Sequence, residues 1–227
     1  MSEKITMTPV EKALAIAHFT GALKFDLEKG FPLKASKERV RLGKTSLTPS
    51  PFFVSEEVIG TSPTAKALAV NAIKERIHEK KITADLIVSV SAGAKEIARA
   101  LANSFGIPFV ELPETKDRWN PQTTDASQLA LYQGKVCLLI GDVITTGDTK
   151  ERFVAFLRKA GVVVNDLVVI LYRQQVKWET LQQASYNIHV ILYIRQVLSL
   201  GLEEDLITQA EYDACIKYLD ENPLDDV

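Results

Sequence analysis

The sequence is short of the residues that build several kinds of protein. Two cysteines, Cys137 and Cys215, stand in 227 residues. One lies in an apolar run and the other in a late helical pattern, so core positions and a reducing compartment are expected rather than a disulfide framework. The three histidines, His18, His78 and His189, are scattered singly. Without a Cys/His cluster a structural zinc site has no support. No stretch approaches ~18 uninterrupted apolar residues, and the opening M-S-E-K-I-T-M-T-P-V lacks a signal-like apolar region, so a cytoplasmic protein with no membrane partner is expected. Charge of one sign is missing too: 27 Lys and Arg face 29 Asp and Glu. That balance gives no global basic field, and no nucleic-acid partner is expected. Internal repeats and low-complexity linkers are absent.

What is present is an apolar-rich chain, 46% hydrophobic and 25% charged, long enough for one domain with a substantial core. Apolar runs at 84–90, 106–112, 136–140, 167–172 and 187–192 read as strands. They alternate with helical patterns at 62–79, 96–105, 150–160 and 194–200. The alternation predicts an α/β fold, a central parallel sheet flanked by helices with right-handed crossovers. Ahead of it, Thr8-Pro9 with Glu11 predicts a capped helix to about Phe19. Residues 21–55, with three prolines, read as loops and short edge strands. The division is then an N-terminal helix and hood over 1–60 and an α/β core over 61–227, as one structural unit. Thr208 with Glu211 forms a capping box for the last helix. Residues 113–133 are polar and aperiodic, which in a compact domain marks a functional or mobile loop.

Two strand–loop–helix units carry chemistry. The first runs from Val136 through Gly141, Asp142, Thr145, Thr146 and Gly147 into a helix opened by Asp148-Thr149. Gly141 to Gly147 read as a polar loop after the strand. A helix N-terminus there gathers orphan N–H groups and the positive dipole end, and the threonine hydroxyls add donors, which suits a phosphate. The same residues also suit plain helix capping. The second unit places Ser91, Ala92, Gly93, Ala94 and Lys95 between a strand and a helix. Both loops fall at the carboxyl ends of their strands, where such sheets bind ligands.

The strand followed by D-V-I-T-T-G-x-T resembles the phosphoribosyl diphosphate (PRPP) loop of type I phosphoribosyltransferases. Within that family, G-A-L-K-F, F-P-L-K-A-S and S-P-F-F resemble the N-terminal segments of the orotate-using branch. The resemblance spans nearly the whole chain and implies the phosphoribosyltransferase fold with a small N-terminal hood, and a homodimer. It implies that Asp142 holds the ribose hydroxyls and Thr145, Thr146, Gly147, Asp148 and Thr149 the 5′-phosphate. Ser91 to Lys95 would grip the pyrophosphate, and Lys116, in P-E-T-K-D-R-W, would stabilise it as it leaves. Lys116 and Asp142 are therefore the implied catalytic residues. Lys34, Phe52, Phe53, Thr146 and Arg173 would meet orotate, with Mg²⁺ bound mainly through PRPP and no metal ligand assigned to the protein. Read without the family, Phe52 and Phe53 are packing residues of a hood, Lys34 is solvated, and Arg173 is a surface arginine at a strand end.

The chain departs from the family pattern at Gly141, where a first acidic residue is expected. Leu112 and Pro113 replace an Arg-Lys pair, Arg118 a histidine and Tyr172 an aspartate, while Lys37 to Lys44 form an insertion. Three functions stay open: phosphoribosyl transfer to orotate, transfer to another planar base, and a weakened relative that binds a nucleotide or phosphate as a regulator. Lys95, Arg118 and Lys150 are candidates to replace the missing cations.

Overall fold

The apolar runs assemble into one five-stranded sheet, every neighbouring pair parallel. This computed structural model describes residues 6–33, 48–112, 126–145 and 148–224, apart from the side chains at 126, 128, 148 and 149. The strands are β3 (Leu86–Ser89), β4 (Phe109–Val110), β5 (Val136–Ile144), β6 (Val163–Tyr172) and β7 (Asn187–Tyr193), in the order β4-β3-β5-β6-β7. Between them run α4 (Lys95–Phe105) and α5 (Asp148–Lys159), and α7 (Ile194–Glu203) follows β7 directly. Such parallel strands are buried on both faces, which explains their unbroken apolar sequences.

Alternation along each strand divides the core. Ile87, Leu138, Ile140, Val168 and Ile170 point to one side. There they meet α1 (Pro9–His18), α3 (Pro63–Lys80), α4, α7 and the last helix, α8 (Gln209–Glu221). Leu86, Val88, Leu139, Leu167 and Val169 point to the other, against α5. Both expected capping boxes are formed: Thr8 Oγ1 accepts from the Glu11 N–H, and Thr208 Oγ1 from the Glu211 N–H, each at 3.2 Å. Cys137 and Cys215 are buried free thiols. The N-terminal region adds a two-stranded antiparallel ribbon, β1 (Leu23–Phe25) with β2 (Phe52–Val54). Leu23 and Phe52 join the same core as the sheet.

Three boundaries differ from the sequence reading. β5 does not stop at Ile140 but runs to Ile144, because the long β6 keeps pairing alongside it as far as Ile144↔Tyr172. Gly141 and Asp142 are thus strand residues and not part of the loop, and they face opposite sides of the sheet. Within the aperiodic polar stretch, Ala126–Tyr132 forms a 3₁₀ helix with Leu129 fully buried. Short helices α2 (Glu56–Thr61) and α6 (Trp178–Leu181) occupy segments read without helix. Six and four residues are too few to establish a helical period. The insertion at 37–44 lies outside the described residues.

A buried polar tie joins α1 to α2. His18 Nδ1 bonds to the Leu14 carbonyl and Nε2 to Glu56 Oε1, both at 2.8 Å. Burial alone would push the imidazole down, but the charge and hydrogen bond of Glu56, helped by Leu14, outweigh it and raise the pKa above 6.5. A raised folded-state value means that this stability is fully present below the unfolded pKa and is lost as pH rises through the folded one. Unfolding free energy, followed by urea titration, should therefore fall as pH increases from about 6.5, and His18→Gln should flatten that slope. A slope unchanged in the variant would contradict the tie. A second prediction concerns Gly141, where an added Cβ would lie 3.3 Å from Val90 Cγ2 and 3.6 Å from Leu167 Cδ1 and Val169 Cγ2. Gly141→Asp would bury a carboxylate in that apolar wall and should cost about 3 kcal/mol of stability. A urea midpoint equal to that of the parent would refute this packing.

Candidate functional site

At the carboxyl ends of β3 and β5 the two strand–turn–helix units touch. Ser89 and Ser91 shape the first turn, with Ser89 Oγ donating to the Ser91 carbonyl at 2.6 Å. The Asp142 N–H donates to Ser91 Oγ at 3.1 Å, which couples the turn to β5. Next comes a single 3₁₀ turn, Ala92–Ala94, leading into α4. Gly93 is required here: a Cβ would sit 2.8 Å from Asp142 Oδ2 and 3.3 Å from Glu56 Cβ. Glu56, from α2, is itself 2% exposed, and its Oε2 has no hydrogen-bond partner among the described residues.

Asp142 is partly exposed and ordered by its own strand, its Oδ1 accepting from the Val143 N–H at 2.6 Å. Lys150, in the first turn of α5, reaches back so that Nζ lies 3.9 Å from Asp142 Oδ1 and donates to the Val143 carbonyl at 2.7 Å. Thr145 stands at the end of β5, partly buried. Residues 148 and 149 open α5, so a helix N-terminus does follow the strand. Thr146 and Gly147 lie outside the described residues, as do Lys34, Lys116, Pro113 and Arg118.

The expected pyrophosphate turn is less cationic than its sequence suggests. Lys95 is ion-paired with Glu111, and Arg99 Nη2 holds the other Glu111 oxygen at 2.9 Å. These two cations hold Glu111 below the usual carboxylate range. Ala94 is buried in the core and offers the site only backbone. Leu112, where the family pattern has a cation, is buried beside Val110.

Of the orotate candidates, Phe52 and Arg173 are brought together, Arg173 standing directly after β6. Its guanidinium is 4% exposed and lies 4.2 Å from the ring centre of Phe52. Nε donates to Gln175 Oε1 at 2.9 Å and Nη2 to Ser50 Oγ at 3.2 Å. No carboxylate among the described residues pairs with it. Burial lowers its pKa to about 10, which leaves it charged at neutral pH. Arg173 is therefore no surface arginine. Phe52 is fully buried, one face under Arg173 and its edge against Tyr218, so it supports the guanidinium rather than offering a free ring. Phe53 is 40% exposed and pairs with Phe31 at 5.7 Å, leaving aromatic surface open. Tyr172 turns to the opposite core, against Trp178 and Tyr193.

Ser50, Gln175, Glu56 and His18 were not singled out in the sequence. Ser50 is the first residue of the motif S-P-F-F and Gln175 stands two residues after Arg173, so both could have been found there. Nothing local marks His18 or Glu56, which meet only through the fold. A cavity of about 870 Å³ opens among Asp166, Trp178, Tyr186, Asn187 and His189. It lies at the amino ends of β6 and β7, away from these loops.

Comparison with known proteins follows the same geometry. Residues 59–189 match the family model described as phosphoribosyl transferase domain. An orotate phosphoribosyltransferase of Pyrococcus furiosus is 24% identical over 71% of this chain and 89% of its own length. A hypoxanthine/guanine phosphoribosyltransferase of Methanocella paludicola is 30% identical over 52% of this chain and 66% of its own. Among solved structures, the UMP synthase of Leishmania donovani shares the fold with a TM-score of 0.73 at 20% identity. That likeness covers 93% of this chain, which spans 42% of the other protein. Since the family model covers more than half of the 227 residues, and contains both loops that meet at Gly93 and Asp142, the chain belongs to the phosphoribosyltransferase domain family.

Proposed function

We propose that the protein transfers the phosphoribosyl group of PRPP to orotate, giving orotidine 5′-monophosphate and pyrophosphate. The observation that carries the choice of orotate is Arg173: a buried guanidinium with no carboxylate partner among the described residues, between the hood and the carboxyl end of β6. A buried cation in that state favours an anionic ligand, and the planar fork of arginine matches a carboxylate. Phe53 and Phe31 present aromatic surface from the same hood segment, suited to a planar ring. The Pyrococcus furiosus relative, described as an orotate phosphoribosyltransferase, supports the same choice.

In this reading Asp142 receives the ribose hydroxyls, and the N-terminus of α5 with Thr145, Thr146, Gly147, Asp148 and Thr149 receives the 5′-phosphate. The turn Ser91–Lys95 receives the pyrophosphate through its backbone. The orotate nitrogen attacks the ribosyl C1 as the bond to pyrophosphate breaks, so charge develops on both C1 and the leaving oxygens. Lys116 neutralises the latter; positioning and charge stabilisation supply the catalysis. Lys34 would share with Arg173 the task of meeting the carboxylate of orotate. No group of three or more His, Cys, Asp or Glu side chains suited to a metal occurs among the described residues. Mg²⁺ would be bound mainly through PRPP, where it would offset phosphate charge. A cytoplasmic homodimer completes the proposal.

Two observations favour a second reading, a ligand-binding regulator without turnover. Gly141 faces an apolar wall, so no acidic side chain could serve the sugar from there, and Glu111 occupies Lys95 and Arg99. Orotate consumption, followed at its ultraviolet band with excess PRPP and Mg²⁺ while pyrophosphate release is recorded, separates the two. Turnover abolished by Lys116→Ala is expected, with Arg173→Gln raising KM for orotate about tenfold and leaving KM for PRPP unchanged. Absence of turnover with PRPP binding intact by calorimetry would give the second reading; turnover with hypoxanthine in place of orotate would assign another base.

A further inference from the structure

Lys150 is a buried charge that the transfer scheme above leaves without a task. It is 9% exposed, it lies in the first turn of α5 directly after Thr149, and its ammonium is spent on Asp142 and the Val143 carbonyl. As a structural peg it is a poor choice. An ammonium taken out of water is costly, the ion pair is long at 3.9 Å, and a methionine of similar volume would fill the space without that cost. Burial in fact pushes Lys150 below its ordinary 10.5, and Asp142 recovers only part of the loss.

The surrounding charges show what the ammonium balances. The place that a Cβ on Gly93 would take lies 2.8 Å from Asp142 Oδ2 and 3.3 Å from Glu56 Cβ, so β5 and α2 flank the turn at that point. Beyond Glu56 stands His18 of α1, at 2.8 Å; beyond Asp142 stands Lys150 of α5. Glu56 thus has His18 as its partner, and Asp142 has Lys150 as its cation. Without Lys150 the partly exposed Asp142 carboxylate would lose its paired cation, and the Val143 carbonyl near the end of β5 would lose that donor. Resting on the phosphoribosyl reading of the site, we propose that Lys150 is a positioning residue that holds Asp142 and the end of β5 in the geometry receiving the sugar phosphate.

Calorimetry with PRPP and Mg²⁺ on the full chain tests this, beside thermal unfolding of each variant. Lys150→Met should bind PRPP at least about tenfold more weakly while its Tm stays equal or rises, the opposite signs expected of a costly functional charge. Lys150→Arg should restore binding. Among the described residues Asp142 is the ionisable group acting on Lys150. Parent affinity should therefore fall on the alkaline side, from below pH 10.5, as the ammonium discharges, and Lys150→Arg should remove that fall. Equal affinity in parent and Lys150→Met, or an alkaline limb unchanged in Lys150→Arg, would overturn the positioning role alone. Failure of the parent to bind PRPP would overturn the phosphoribosyl reading, and this inference with it.

Discussion

Everything at the candidate site depends on one close approach, Gly93 against Asp142. A side chain at 93 would collide with the Asp142 carboxylate, so the absence of a Cβ is what lets the two strand–turn–helix units share an edge. The hydrogen bond from the Asp142 N–H to Ser91 Oγ then fixes their register. From that contact the other parts follow. α2 packs over the turn, where even a Cβ on Gly60 would make ordinary contact with the Gly93 carbonyl at 3.5 Å. α5 starts at Asp148, four residues after the end of β5 at Ile144, so a helix N-terminus follows this strand. A parallel sheet places its loops in this way, and the sequence of this chain equips two neighbouring ones.

Arg173 is the second node. Through Ser50 and Phe52 it holds the hood, and through Gln175 it holds the C-terminal segment, since Gln175 Nε2 donates to the Asn222 carbonyl at 3.2 Å and the Leu224 N–H donates to the Gln175 carbonyl at 2.6 Å. Hood, sheet and tail therefore converge on one desolvated cation. A ligand carboxylate reaching it would exchange a costly burial for a charge-assisted pair.

Legibility in the sequence followed the range of the forces involved. The five strands, the capping boxes at Thr8 and Thr208, and the stripe of α3 were readable because period and caps are local. The end of β5 was not. Gly141 and Asp142 look like loop residues, and only pairing with β6 keeps them extended. Asp142, Ser91 and Arg173 could be named from motif order, but their surroundings could not. That Lys95 is neutralised by Glu111, that Phe52 lies under Arg173, and that His18 reaches Glu56 are all contacts between residues distant in the chain. Gly141 is the instructive case, since the motif marks it as a missing acid whereas the fold makes it a wall of an apolar core.

The central claim is that a phosphoribosyl ligand occupies the junction of the two loops, and amide hydrogen exchange with and without PRPP and Mg²⁺ addresses it most directly. The account predicts slowed exchange over Ser91–Lys95 and over the residues from Thr145 into the first turn of α5, with the cavity at Asp166 and His189 unaffected. Protection confined to that cavity, or none at either loop, would contradict it.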